Sequence, residues 1–106
     1  MDNTGLNSKY IEEINNIFAQ YEEVEKVILY GSRAMGTYNE RSDIDLVVFG
    51  ENINRQTIIK IKNDLEELSV PYLIDLVDYK TIDNENLVAH INRVGVEFYK
   101  KVISDW

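Results

Sequence analysis

The apolar run Val27-Ile28-Leu29-Tyr30 stops at Gly31, and the next strand-like run begins at Asp43. No other feature constrains the fold as tightly. A short apolar run closed by glycine reads as a buried strand that ends in a tight turn. The connection has room for one helical turn, Ser32 to Met35, closed by Gly36 and followed by a polar stretch over 37–42. It is too short for a full crossover helix, so these two strands do not both belong to an all-parallel sheet. A mixed sheet is expected.

The remaining elements follow from periodicity. Ile11, Ile14, Phe18 and Tyr21 recur at helical spacing behind Ser8, which can cap them. Ile44, Leu46 and Val48 alternate with Asp43, Asp45, Val47 and Phe49, the signature of a second strand ended by Gly50. Ile58, Ile61, Leu65 and Leu68 mark a second amphipathic helix that Pro71 stops, and Tyr72 to Val77 reads as a third strand. Asp83 is placed to cap a last helix with Leu87, Ile91, Val94 and Phe98 on its buried stripe. Gly95 leaves the end of that helix open, with Val96 to Tyr99 able to run as an extended segment instead. The expected fold class is α/β (α+β), a small mixed sheet of three to four strands with helices packed on it. A chain of 106 residues suits one domain spanning 1–106, with the polar residues 1–7 flexible.

Charge and composition remove several functions. The net charge is −8, from 11 Lys and Arg against 19 Asp and Glu. A free-standing nucleic-acid binder normally carries the opposite sign, so no stable DNA or RNA complex is expected. A nucleotide bound through metal ions is compatible with that charge, because the metal inverts the local electrostatics. The acidic surface also suits docking on a basic protein partner. With no cysteine, thiolate zinc sites, disulfides and thiol nucleophiles are excluded, and the single His90 excludes a multi-histidine metal site. No apolar run approaches the ~20 residues needed to span a bilayer, and Met1-Asp2-Asn3-Thr4 does not look like a signal peptide. The expected location is cytoplasmic, without membrane association.

Three features coincide around this connection. Gly31 lets the backbone turn sharply and lets a ligand come close, and Ser32 offers free backbone N–H groups and a hydroxyl that can cradle phosphate. Arg33, one residue on, is within reach of phosphate or carboxylate. After ten further residues, Asp43 and Asp45 project side by side from one strand face. Their repulsion is relieved by a cation, and such hard oxygen ligands suit Mg²⁺ or Mn²⁺. Asp75 sits inside the apolar run Tyr72-Leu73-Ile74-Asp75-Leu76-Val77, where a buried charge is costly unless paired or metal-bound. On a strand beside the second one, it supplies the third carboxylate that a two-metal site requires. Taken singly, each part is bland: Gly-Ser after a strand is common, an Asp-x-Asp pair is usually a solvated edge, and His90 reads as a packing or surface residue with no role. Their conjunction is what points to chemistry.

Gly31-Ser32-Arg33-Ala34-Met35-Gly36 followed by Ser42-Asp43-Ile44-Asp45-Leu46 resembles the motif of the DNA polymerase β-like nucleotidyltransferase superfamily. Within it the chain looks like the minimal nucleotidyltransferases, the MNT or MntA-like group. The resemblance implies the polymerase β-like nucleotidyltransferase fold. It implies that Gly31 and Ser32 hold the triphosphate of ATP or another NTP, that Asp43 and Asp45 ligate two divalent ions, Mg²⁺ or Mn²⁺, and that Asp75 is the third ligand beside the acceptor hydroxyl. The implied reaction moves a nucleoside monophosphate to a hydroxyl and releases pyrophosphate. It further implies an antitoxin that adenylylates a HEPN-domain protein partner. Met35 departs from the pattern, since many relatives carry a second arginine there.

The missing acceptor domain favours AMP transfer to a separate protein, because a chain this size has little room for two pockets. Alternatives are a small-molecule nucleotidyltransferase of the antibiotic-modifying kind, and a non-catalytic antitoxin acting by binding alone.

Overall fold

The computed structural model describes residues 3–102. The chain runs through α1 (Ser8–Phe18), β1 (Lys26–Tyr30), α2 (Gly31–Met35), β2 (Ile44–Phe49), α3 (Arg55–Glu66), β3 (Ile74–Asp78), a 3₁₀ turn (Tyr79–Thr81), α4 (Glu85–Val94) and β4 (Val96–Lys100). The four strands form one sheet in the order β3-β2-β1-β4. β1 lies antiparallel to both β2 and β4, whereas β2 and β3 are parallel. The mixed sheet expected from the short connection is therefore present. The longer stretch between β2 and β3 holds α3, which is what a parallel crossover needs.

Local chemistry sets the element ends. Asn7, not Ser8, caps α1, its side chain accepting from the Lys9 amide. Asn54 and Thr57 form a reciprocal capping box on α3. Asn84, not Asp83, caps α4 through the amides of Asn86 and Leu87. α2 ends at Gly36, whose φ of 81° is the left-handed cap glycine favours. Val96 to Lys100 is a strand on β1 and not the end of the last helix. Gly95 explains this, since a Cβ there would collide with the Ile91 carbonyl and Ile28 Cγ2, so only glycine passes so tightly from α4 into β4.

Most of the core lies on one face of the sheet. Val27 and Leu29, Ile44, Leu46 and Val48, and Leu76 pack there against Ile14 and Phe18 of α1 and Ile61 and Leu65 of α3. Burial of this many aliphatic and aromatic groups is the main stabilising contribution, at roughly 1.5–3 kcal/mol per side chain. A smaller cluster, Tyr30, Val47 and Ile91, lies between the other face and α4. The flexibility expected of residues 1–7 does not extend through the whole segment: Thr4 is buried and Leu6 packs on the main core. Residues 1–2 lie outside the described residues.

Candidate active site

The turn after β1 meets the start of β2 because the two strands are antiparallel neighbours. Tyr30 pairs with Asp45 in register, so Gly31 arrives directly against the Asp45 side chain. A Cβ on Gly31 would strike Asp45 Oδ2, and its φ of 75° is one that side chains rarely adopt. Both facts require glycine here. Ser32 follows as a half-buried residue at the start of α2.

Asp43 immediately precedes β2 and is exposed, whereas Asp45 lies within the strand and is half-buried. In the parallel β2–β3 pair Asp45 is the register partner of Asp75, which sets their side chains on the same face of adjacent strands. The expectation of a buried Asp75 is corrected: it is exposed, because β3 is an edge strand and not a central one. A cavity of about 380 Å³ adjoins it, lined in part by Leu68, Val70, Tyr72 and Leu73. Leu73 is 76% exposed, unusual for so large an apolar side chain.

Electrostatics bind these groups together. The Asp45 carboxyl is raised above its ordinary value, first by burial and then by the charges of Asp75 and Asp43, with His90 acting in the opposite direction. The Tyr30 phenol is pushed up to about 12 by burial, then by Asp75 and Asp45. Asp45 thus senses Asp75 and Asp43 as like charges beside a half-open surface. That surplus fits a hard divalent cation. Among the described residues no three acidic or histidine side chains already converge into a finished metal cage. A cation held here would take its remaining oxygens from phosphate and water, as Mg²⁺ usually does.

Arg33 is placed differently from the expectation that it meets phosphate. It is 2% exposed. Its Nε donates to the Ser42 carbonyl at 3.1 Å and its Nη1 to the Thr4 carbonyl at 2.8 Å. The guanidinium stacks on the rings of Tyr38 and Tyr72, 5.2 and 4.4 Å from their centroids. Arg33 therefore ties the N-terminal segment to the loop that ends in Asp43, on the side of the main core. A helix of five residues can aim its third side chain either way, and this one points inward.

Two residues at the site were not assigned from the sequence. Tyr30 read only as a core aromatic, and His90 had no role. The Gly31 N–H donates to His90 Nε2 at 3.2 Å. The His90 ring also stands edge-on to Tyr30, centroids 6.2 Å apart and planes at 83°. A tie between residues 59 positions apart leaves no local sequence signal.

Comparisons with known proteins bear on the family and the fold. The sequence model of the family described as "Polymerase beta, Nucleotidyltransferase" matches residues 12–103. A Methanocaldococcus jannaschii protein named as protein adenylyltransferase MJ0141 is 31% identical over 80 residues, covering 72% of this chain and 80% of that protein. Among solved structures, a toxin-antitoxin crystal structure with AMP-PNP superimposes with a TM-score of 0.69 at 21% identity, covering 91% of this chain and 75% of the other. A Shewanella oneidensis complex of a tri-AMPylated HEPN toxin with its MNT antitoxin gives a TM-score of 0.67 at 15% identity, covering 91% and 74%. At these identities the two structures speak for the fold.

Proposed function

Because the chain belongs to the polymerase β nucleotidyltransferase family, whose members generally use divalent metal ions, we propose that it transfers AMP from ATP to a hydroxyl of a partner protein, acting as the antitoxin of a HEPN-domain toxin. The observation that carries the reading is the meeting of Gly31 with Asp45 and the pairing of Asp45 with Asp75 across two strands. Its specificity for a protein acceptor is supported by the name of the Methanocaldococcus jannaschii relative and by the AMPylated toxin in the Shewanella oneidensis complex. ATP as donor places the reaction in the cytoplasm. Residues 1–106 act as a single nucleotidyltransferase domain in this proposal, and the partner presents the acceptor hydroxyl.

In this reading Ser32 holds the triphosphate with its hydroxyl and backbone amide, and Gly31 supplies the bend and the clearance. Asp43, Asp45 and Asp75 hold two Mg²⁺, or Mn²⁺. Bound there, the metal supplies charge neutralisation of the triphosphate and of the departing pyrophosphate. Asp75, exposed beside an open cavity, faces the acceptor and accepts its hydroxyl proton. The acceptor oxygen then bonds to the α-phosphorus as the bond to pyrophosphate breaks. Arg33 stays out of the chemistry and holds the Ser42 carbonyl, and with it the approach to Asp43.

The test is incubation with Mg²⁺, ATP and a HEPN-domain toxin, read by intact mass. The toxin is expected to gain adenylyl groups. The Asp43→Asn, Asp45→Asn pair should slow this by at least ~10³-fold, since several kcal/mol of charge stabilisation are removed. Undiminished neutralisation of the toxin by that double variant would instead establish a binding-only antitoxin. Turnover of a small acceptor by the protein alone would move the activity to small molecules.

A further inference from the structure

We infer that His90 is a positioning residue of the nucleotide site, which fixes the Gly31 amide so that the turn presents Ser32 to the phosphates; this rests on the reading above of that turn as the triphosphate holder. His90 comes from α4, far from the motif in sequence, yet its Nε2 is aimed at the first residue of the turn, 3.2 Å from the Gly31 nitrogen. The Gly31 N–H donates in this contact and Nε2 accepts.

The neighbours make this contact more than packing. Gly31 lies between His90 on one side and Asp45 on the other. Tyr30, the residue before it, holds the imidazole edge-on. The backbone at Gly31 has a positive φ that needs external support, since glycine adopts many alternatives at little cost. His90 selects one of them. The arrangement also divides the work of the turn. With the Gly31 N–H already engaged, phosphate donors come from Ser32, and Gly31 contributes shape. The distance from Ser32 to the Asp45 carboxylate is then set by a contact from α4, so the last helix enters the site although it carries no motif.

His90→Ala and His90→Gln test this, because the glutamine amide oxygen can accept from the same N–H. Three quantities are read: KM for ATP and kcat in AMP transfer to a HEPN-domain toxin, and hydrogen exchange of the Gly31 amide in the free protein. His90→Ala should raise KM about fivefold, the effect of one ordinary hydrogen bond, with kcat within about twofold. Its Gly31 amide should exchange faster by a similar factor. His90→Gln should recover most of both. An unchanged KM and unchanged exchange in His90→Ala would overturn the inference. So would a lower KM, which would make His90 a competitor for the amide and not its support. Failure of His90→Gln to recover either quantity would reduce His90 to packing. If the wild-type protein transfers no nucleotide, the proposed function falls, and unaltered Gly31 exchange in His90→Ala would separately remove His90.

Discussion

The two faces of β2 carry opposite chemistry. On one, Ile44, Leu46 and Val48 are completely buried under α1 and α3. On the other, Val47 is fully buried but Asp45 and Phe49 are only half-covered. That face is roofed by α4, which buries only Ile91 among its own residues. The difference shows how one six-residue strand both specifies a fold and carries the proposed site. The closed face supplies the apolar contacts that make the structure unique. The half-roofed face leaves room for a ligand, and it holds like charges together that the closed face would exclude.

Leu46→Ala should give the largest effect on stability, a loss of about 2–5 kcal/mol, because it opens a cavity where no relaxation by solvent is available. Chemical denaturation reads it directly. A loss well below 1 kcal/mol would mean that the closed face is not the tight side of the comparison. Arg33→Ala should come next, at roughly 1–3 kcal/mol, because the buried guanidinium's hydrogen bonds to the Thr4 and Ser42 carbonyls are lost. ATP affinity in the surviving folded fraction should change little. A variant that keeps its stability but loses ATP binding would return Arg33 to the phosphate site and blur the division between faces.

Much of this was legible in the sequence, in a way that follows the same division. Period-two alternation places Ile44, Leu46 and Val48 on one face and Asp45 on the other without further information. The short connection after Gly31 is enough to exclude an all-parallel sheet, and the glycine itself marks the close approach that the Asp45 side chain enforces. What the sequence could not convey depends on long-range placement. Arg33 follows Gly-Ser in a motif that invites phosphate, but the aim of its side chain is decided by Tyr38, Tyr72 and Thr4, which only the fold gathers. Asp75 in an apolar run reads as buried; it is exposed because its strand takes the sheet edge. His90 acts across α4 and β1, and Val96 to Lys100 becomes a strand because β1 has a free side for it to join.

The smallest effect is the one that most sharply separates the two faces, because its sign is reversed. The Asp45 carboxyl lies above its ordinary value of 3.8, first through burial and then through Asp75 and Asp43. A carboxyl with a raised folded value binds its proton more tightly in the folded state than in the unfolded one. Its contribution to stability is therefore full below 3.8 and is lost as pH rises through the folded value. At neutral pH the metal-free protein carries Asp45 as a penalty. Asp45→Asn should accordingly raise the melting temperature of the metal-free protein at pH 7, by a few °C for a domain of this size, while abolishing transfer. The gap should narrow as pH falls towards 4. Mg²⁺ should stabilise the wild type and have less effect on the variant, since the cation relieves the same repulsion. Thermal melts at pH 4 and pH 7, with and without Mg²⁺, give all four values. A variant less stable than the wild type at pH 7 without metal would show that Asp45 is held by partners on its own face, and that the half-roofed side of β2 is as well satisfied as the closed one.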